Sequence, residues 1–504
     1  MLTPLKPHWY AKENIDRHAL HEVERTFRIY TENKWLKHGD QMALDLFRRA
    51  SYGVPAYKDF LRRNHVRAST IRTAKDLIKI PSIDKNNYLT KYPLRSLCWQ
   101  GSIGTAGVAI SASSGSSGKP FYWPRSRKIE FDTTVSQGLL LKALGAHAKK
   151  TLLVDTFSMG IYVAGTVIYS SALRLATHGM PITLVTPGVD IPEIIRTIIK
   201  LSSSFEQTVI AGYPPFVRDV IADGTKAGIK WSHLNVKFIF AAENFSEEFR
   251  ESLLNDVGSR NSIDGALSIY GSAEASIMGH ETPGTVSIRR VAVARPEIAQ
   301  KLFGRNDFLP TLVHYNPVIR RFEEKDGELL LTCDSGLPLI RYAIHDKGGL
   351  LANEKVDSVL NDGGSSRTVS NKWNLPLLFV FGKSTATFSF YGLKVYPDNI
   401  KAGLETRSLK KIVSGRFVTM VKNDKKQKQY WELHIELQDS KHPSRTLKKS
   451  LREAIVAKLI EKNLEYSKLH LAIGKKSFPK VILYRKGTSD IFNSRKVKQK
   501  WTAK

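Results

Sequence analysis

Residues Ser111–Phe121 read SASSGSSGKPF, with five serines, two glycines and a lysine in eleven positions. That composition can grip an anion. Glycine lets backbone N–H groups turn toward one point, serine hydroxyls add short donors, and lysine brings positive charge. The spacing is not that of a Walker A loop, which needs four residues between its first glycine and a Gly-Lys pair followed by Ser or Thr. Here Ser116 and Ser117 alone separate Gly115 from Gly118, and Pro120 follows Lys119. Strand-like VAISAS precedes the loop and PFYWP follows it, a strand–loop–strand flap. Read alone, the segment is either a phosphate cradle or a plain hairpin tip.

Other residues with chemistry lie far away in the chain. Glu274, in IYGSAEAS, has the hard oxygen donor that a divalent cation bridging phosphates prefers; read alone it is equally a solvated loop acid. Tyr270 in the same stretch is a stacking surface or a core aromatic. Asp346, in YAIHD, can accept from two hydroxyls at once or cap a turn. Nothing has the form of a Ser/His/Asp nucleophile elbow, and Cys333 in LLLTCDSG reads as a strand cysteine.

The elements that must gather these residues are legible as alternating periods. ITLVT, TVIAGYP, VKFIFAAE and ALSIYGSAE read as strands. DIPEIIRTIIKL, FVRDVIADGTKAG and SEEFRESLLNDV read as the helices between them. Asp190 is the expected N-cap of the first helix, whose Ile191, Ile194, Ile195, Ile198 and Ile199 form one stripe. Such alternation predicts βαβ units in a parallel sheet, whose ligands gather at the carboxyl ends of the strands. AGYP, AAE and YGSAE all fall at such ends. The first hundred residues read as helix, with ALHEVERTFRIYTENKWL one continuous pattern. From Gly327 the pattern becomes β, and ANEKVDSVLNDGGSSRTVSNKW reads as a loop or insertion. The apolar run Met159–Ala176 reads as a buried helix rather than a membrane span, which needs ~20 strongly apolar residues.

The chain's 504 residues leave room for about three domain-sized units. Its two cysteines, Cys98 and Cys333, make no disulfide framework, which points to a reducing, cytoplasmic setting. Net charge is +30, and residues 401–504 hold 27 Lys and Arg against 9 Asp and Glu. Such a region attracts polyanions within a Debye length of about 8 Å. Nucleic acid, an anionic membrane surface and an acidic carrier protein all fit, as does a merely solvated basic face.

Taken in order, SSGSSGKP, TFSMGIYVAGTVIY, AGYPPF, FAAENF, IYGSAEAS, GELLLTCDSGLPLIRYAIHD and FGKSTATFSFYGLKVYP resemble the motif series of the adenylate-forming superfamily. The branch they resemble holds phenylacetate–CoA ligase, CapK-type proteins and acyl-protein synthetases. The resemblance runs from about Gly101 to Asn399. It implies an α/β fold, with a large N-terminal adenylate-forming domain of mixed and parallel sheets and helices, plus a small α+β C-terminal domain. Residues 1–100 would be the helical start of the large domain, 101–381 the ATP-binding core and 382–504 the small basic domain. The implied activity is that of an acid–thiol ligase using ATP and Mg²⁺, with coenzyme A or an acidic acyl carrier protein as acceptor.

The resemblance also implies roles. Ser113, Ser114, Gly115, Ser116, Ser117, Gly118 and Lys119 would hold the β- and γ-phosphates. Tyr270 would stack on adenine beside Gly271 and Ser272, Glu274 would bind Mg²⁺, and Asp346 would take the ribose hydroxyls. The acid's pocket would lie near Tyr213, Ala241 and Ala242. In NSRKVKQKW, Lys496 best matches the family's C-terminal catalytic lysine, with Lys498 and Lys500 next. There are departures. Ala273 replaces a hydroxyl residue, so Ser272 takes the α-phosphate contact or it is lost. Ile344-His345 replace Thr-Gly, Lys383 replaces an arginine, and Thr385-Ala386 stand where Asp-Asp is usual. These changes and the positive charge motivate a second reading, a non-catalytic relative that binds nucleotide or nucleic acid.

Overall fold

The computed structural model describes residues 17–106, 108–113, 120–305, 309–364, 373–383, 388–395, 397–404, 406, 409, 412–438 and 441–492. It opens with helices α1 (Arg17–Ile29), α2 (Glu32–Gly53) and α3 (Pro55–Arg63). The helical stretch ALHEVERTFRIYTENKWL is divided between α1 and α2 at Thr31, whose side chain accepts from Lys34 N and starts α2 afresh. A hairpin of β1 (Ala109–Ser113) and β2 (Phe121–Arg125) follows, antiparallel as the flap reading expects. Helix α4 (Arg127–Ala143) leads from it into the main sheet.

One half of that sheet is parallel: β3 (Thr151–Asp155), β4 (Ile182–Val185), β5 (Gln207–Gly212), β6 (Val236–Ala241) and β7 (Ala266–Ser272). Helices α5 (Val163–Thr177), α6 (Ile191–Leu201), α7 (Pro214–Lys226) and α8 (Glu247–Asp256) connect its strands. Asp190 caps α6 as expected, accepting from Glu193 N. The isoleucine stripe is narrower than the sequence suggests. Ile191, Ile194 and Ile198 are buried, whereas Ile199 is 56% exposed. The Met159–Ala176 expectation needs a similar correction. Its helix begins only at Val163 and lies on the surface, leaving Tyr169 and Leu173 largely exposed. Among the described residues no helix is long and apolar enough to cross a membrane.

The other half of the sheet is antiparallel, with β8 (Ser276–His280) returning against β7. Then come β9 (Thr311–His314), β10 (Arg321–Lys325), β11 (Glu328–Asp334) and β12 (Pro338–Leu351). Helix α9 (Asn353–Asp362) and β13 (Leu377–Lys383) complete it. The strand order is β10-β11-β12-β13-β9-β8-β7-β6-β5-β3-β4. Helix α9 corrects the loop or insertion read over its sequence. Val356, Val359 and Leu360 fall at helical spacing and are buried, and Asn353 N donates to Glu32 Oε2 of α2 at 2.9 Å.

Beyond β13 lie the hairpin β14 (Phe388–Phe390) and β15 (Leu393–Val395), then β16 (Val413–Asn423) and β17 (Gln429–Leu437). Helices α10 (Arg445–Lys462) and α11 (Leu464–Ile473) lead to β18 (Lys480–Tyr484), which joins β17 in parallel. This smaller α+β unit has its own buried centre, including Trp431, Ile435, Ile455, Leu459 and Tyr466, continuous with the core beneath the parallel strands. A second core lies between α2, α3 and the antiparallel strands.

Candidate active site

A cavity of about 540 Å³ opens where β5, β6 and β7 end, as the alternation of elements predicts. Ser113, Tyr213, Ala241 and Ala242 line it, together with Tyr270, Gly271, Ser272, Glu274 and Asp346. Residues more than 200 positions apart in sequence therefore share one wall. The remaining expected positions fall elsewhere. Ser114, Gly115, Ser116, Ser117, Gly118, Lys119, Thr385, Ala386, Lys496, Lys498 and Lys500 lie outside the described residues. Lys383 ends β13, its backbone in register with Asp346 of β12.

Two of these lining residues touch each other. Tyr270 OH donates to Asp346 Oδ2 at 2.8 Å. Burial, with the nearby Asp346 and Glu274 charges, pushes the Tyr270 phenol well above its ordinary range, so it stays a donor. Tyr342 OH faces Glu274 Oε1 at 3.5 Å, and its phenol is raised chiefly by burial. The turn that carries Glu274 is pinned from below. Buried Arg320 donates to the Ala275 carbonyl through Nε at 3.2 Å and Nη2 at 2.9 Å.

Ala242 of the wall and His345, next to the wall residue Asp346, have unusual backbone. Ala242 has φ +73° and His345 φ +61°, the left-handed region that favours glycine. Both stand at or beside places where the motifs they resemble carry glycine. The Ala242 loop is held by a buried ion network. Arg250 Nη2 lies 2.8 and 2.9 Å from the Glu281 carboxylate oxygens, and Arg289 reaches Glu281 at 2.8 Å and the Phe245 carbonyl at 2.7 Å.

The structure adds residues that sequence reading did not single out. Phe157 and Tyr162 are buried in the wall, and Phe157 packs edge-on against Tyr213 with centroids 4.9 Å apart. Burial lifts the Tyr162 hydroxyl to about 12. Glu243 follows the two alanines, and burial raises its carboxyl above the usual range. The smaller unit contributes as well. Gln429 Nε2 donates to Glu243 Oε2 at 3.2 Å, Tyr391 OH donates to Asp219 Oδ2 at 2.7 Å, and Glu465 of α11 lines the cavity. Gly392, at φ +76°, lies flat on the Tyr213 ring; a Cβ there would come within 2.2 Å of Cδ1. FAAENF was a signal for Glu243, but nothing in the sequence around Glu465 marks it.

Among the described lining residues the charged side chains are Glu243, Glu274, Asp346 and Glu465, all acids. No group of three or more His, Cys, Asp or Glu that could hold a metal occurs among the described residues. A single carboxylate such as Glu274 would suit a cation shared with a ligand's phosphates, the usual arrangement for Mg²⁺.

No family model and no curated protein matches the chain. Solved structures do. 2-Hydroxyisobutyryl-CoA ligase in complex with 2-HIB-AMP and CoA, in its thioesterification state, aligns at 13% identity with a TM-score of 0.63, covering 95% of this chain and 91% of that one. An open conformation of the same ligase gives 0.54 at 13% identity, covering 93% and 91%. Its postadenylation state with 2-HIB-AMP gives 0.52 at 13%, covering 100% and 94%. The chain therefore has the fold of that ligase, a large α/β domain followed by a small α+β domain.

Proposed function

We propose that the protein is an ATP-dependent carboxylate-activating ligase that forms an acyl adenylate and passes the acyl group to a thiol. The observation that carries this reading is the convergence of Tyr270, Glu274 and Asp346 with the apolar walls near Tyr213 in one cavity. The fold supports it, since the ligase of like fold binds an acyl adenylate and coenzyme A. The motif order supports the phenylacetate–CoA ligase branch.

In the first step a carboxylate oxygen attacks the α-phosphorus of ATP, the bond to the pyrophosphate oxygen breaks, and pyrophosphate leaves. Asp346 would accept from the ribose hydroxyls and Tyr270 would face the purine. When bound at Glu274, Mg²⁺ supplies charge neutralisation on the phosphates. The cavity wall is acidic, so the positive charge this step needs falls to Lys119 of the serine loop and Lys496 of the C-terminal segment. In the second step sulfur attacks the acyl carbon, the carbon–oxygen bond to AMP breaks, and the thiol proton passes to solvent. The basic small domain suits the phosphates of coenzyme A or an acidic carrier protein.

The test is acid-dependent pyrophosphate exchange with ATP and Mg²⁺ across aryl, fatty and hydroxy acids, with AMP release read in parallel. Exchange with at least one acid is the expected result; silence across the panel overturns the reading.

A further inference from the structure

Helix α11 carries a lysine of the small domain onto the wall of the large one. Lys468 Nζ donates to the Met159 carbonyl at 3.2 Å and lies 5.0 Å from the centroid of the Tyr162 ring. Gly160, at φ +98°, lies beside this contact. Three positions before Lys468, on the same face of the helix, Glu465 lines the cavity. The gripped segment supports the site from two sides. Ala112 N of β1 donates to the Ile161 carbonyl at 2.9 Å, and Tyr162 is both a wall residue and the N-cap of α5. One charged side chain thus ties the small domain to the stretch on which both the serine hairpin and the acyl-side wall rest. Ammonium on carbonyl is a charge-assisted bond, and the tyrosine face adds cation–π attraction.

We infer that Lys468 is a positioning residue for the thiol-transfer step, clasping the small domain at Met159–Tyr162 so that the cavity closes around the acyl adenylate. The inference rests on the ligase reading. It concerns one of that reading's two half-reactions, because the clasp belongs to the domain arrangement seen here, and the whole chain aligns better with the ligase of like fold in its thioesterification state, at a TM-score of 0.63, than in its postadenylation state, at 0.52.

The experiment compares wild type, Lys468→Ala and Lys468→Arg as full chains, using an acid that supports pyrophosphate exchange and coenzyme A or pantetheine as the thiol. Lys468→Ala should leave exchange unchanged and slow thioester formation from preformed acyl adenylate by about 10- to 100-fold, the scale of an ångström-sized misplacement. Lys468→Arg should restore most of the rate. Equal losses in both half-reactions, or an undiminished thioester rate in Lys468→Ala, overturn the inference. If wild type lacks exchange, the ligase reading falls separately. If it lacks exchange or thiol transfer, hydrogen exchange decides. Lys468→Ala should speed amide exchange across 159–162 and 464–473, and unchanged protection overturns the clasp.

Discussion

Asp346 has a second claim on its carboxylate besides any ligand, the Tyr270 hydroxyl at 2.8 Å. An asparagine there keeps the shape but offers one acceptor oxygen instead of two. Asp346→Asn should therefore raise the ATP KM of pyrophosphate exchange about tenfold, equivalent to about 1.4 kcal/mol, with a smaller change in kcat. An unchanged KM removes Asp346 from ribose binding. Tyr270, Glu274 and Asp346 were legible because each sits inside a recognisable stretch of sequence. His345 was legible as a departure and Ala242 as a pocket position, but their positive φ was not, since an alanine or histidine gives no local signal of left-handed backbone. Glu465 was beyond reach. It meets the cavity through domain docking, which residue spacing within α11 does not encode.

At the scale of elements, the β7–β8 turn shows how a loop is aimed by a buried group elsewhere. Arg320 follows β9, yet its guanidinium holds the Ala275 carbonyl next to Glu274 and lies 3.7 Å from buried Asp132. Arg320→Ala should cost on the order of 3 kcal/mol in unfolding free energy, because Asp132 loses part of its compensation. Pyrophosphate exchange should fall as well, as Glu274 is no longer held. Chemical denaturation and exchange assays on the same preparation check both, and a stable, fully active variant would exclude the positioning role. The βαβ order was readable here because caps such as Asp190 and the isoleucine spacing of α6 are local. Helix α9 was misread for an opposite reason. Its polar residues dominate the count, and its three buried apolar positions gain meaning only against distant partners such as Ile298, Leu302 and Leu377.

Across the whole molecule, the large sheet is held together between β8 and β9 by one register pair, His280 with His314. Trp373 packs on both rings, its centroid 5.6 Å from each. His280 Nδ1 donates to the Glu281 carbonyl at 2.8 Å, and burial lowers its pKa to about 4. The sign follows. In the unfolded chain the imidazole takes a proton near pH 6.5. Between that value and about 4 the unfolded state therefore binds more protons, and stability falls with pH by on the order of 3 kcal/mol at full extent. His280→Phe should show a shallower drop in urea midpoint from pH 7 to pH 4.5 than wild type. Equal drops would clear His280 of the effect.

That sparse junction bears on how the cleft behaves. With one backbone pair joining two broad half-sheets, their spread is governed by side chains that bridge the line, and the Tyr270–Asp346 bond is one of them. A molecule seated between β7 and β12 adds the cross-rungs that the main chain omits there, so the filled protein is stiffer along this axis than the empty one.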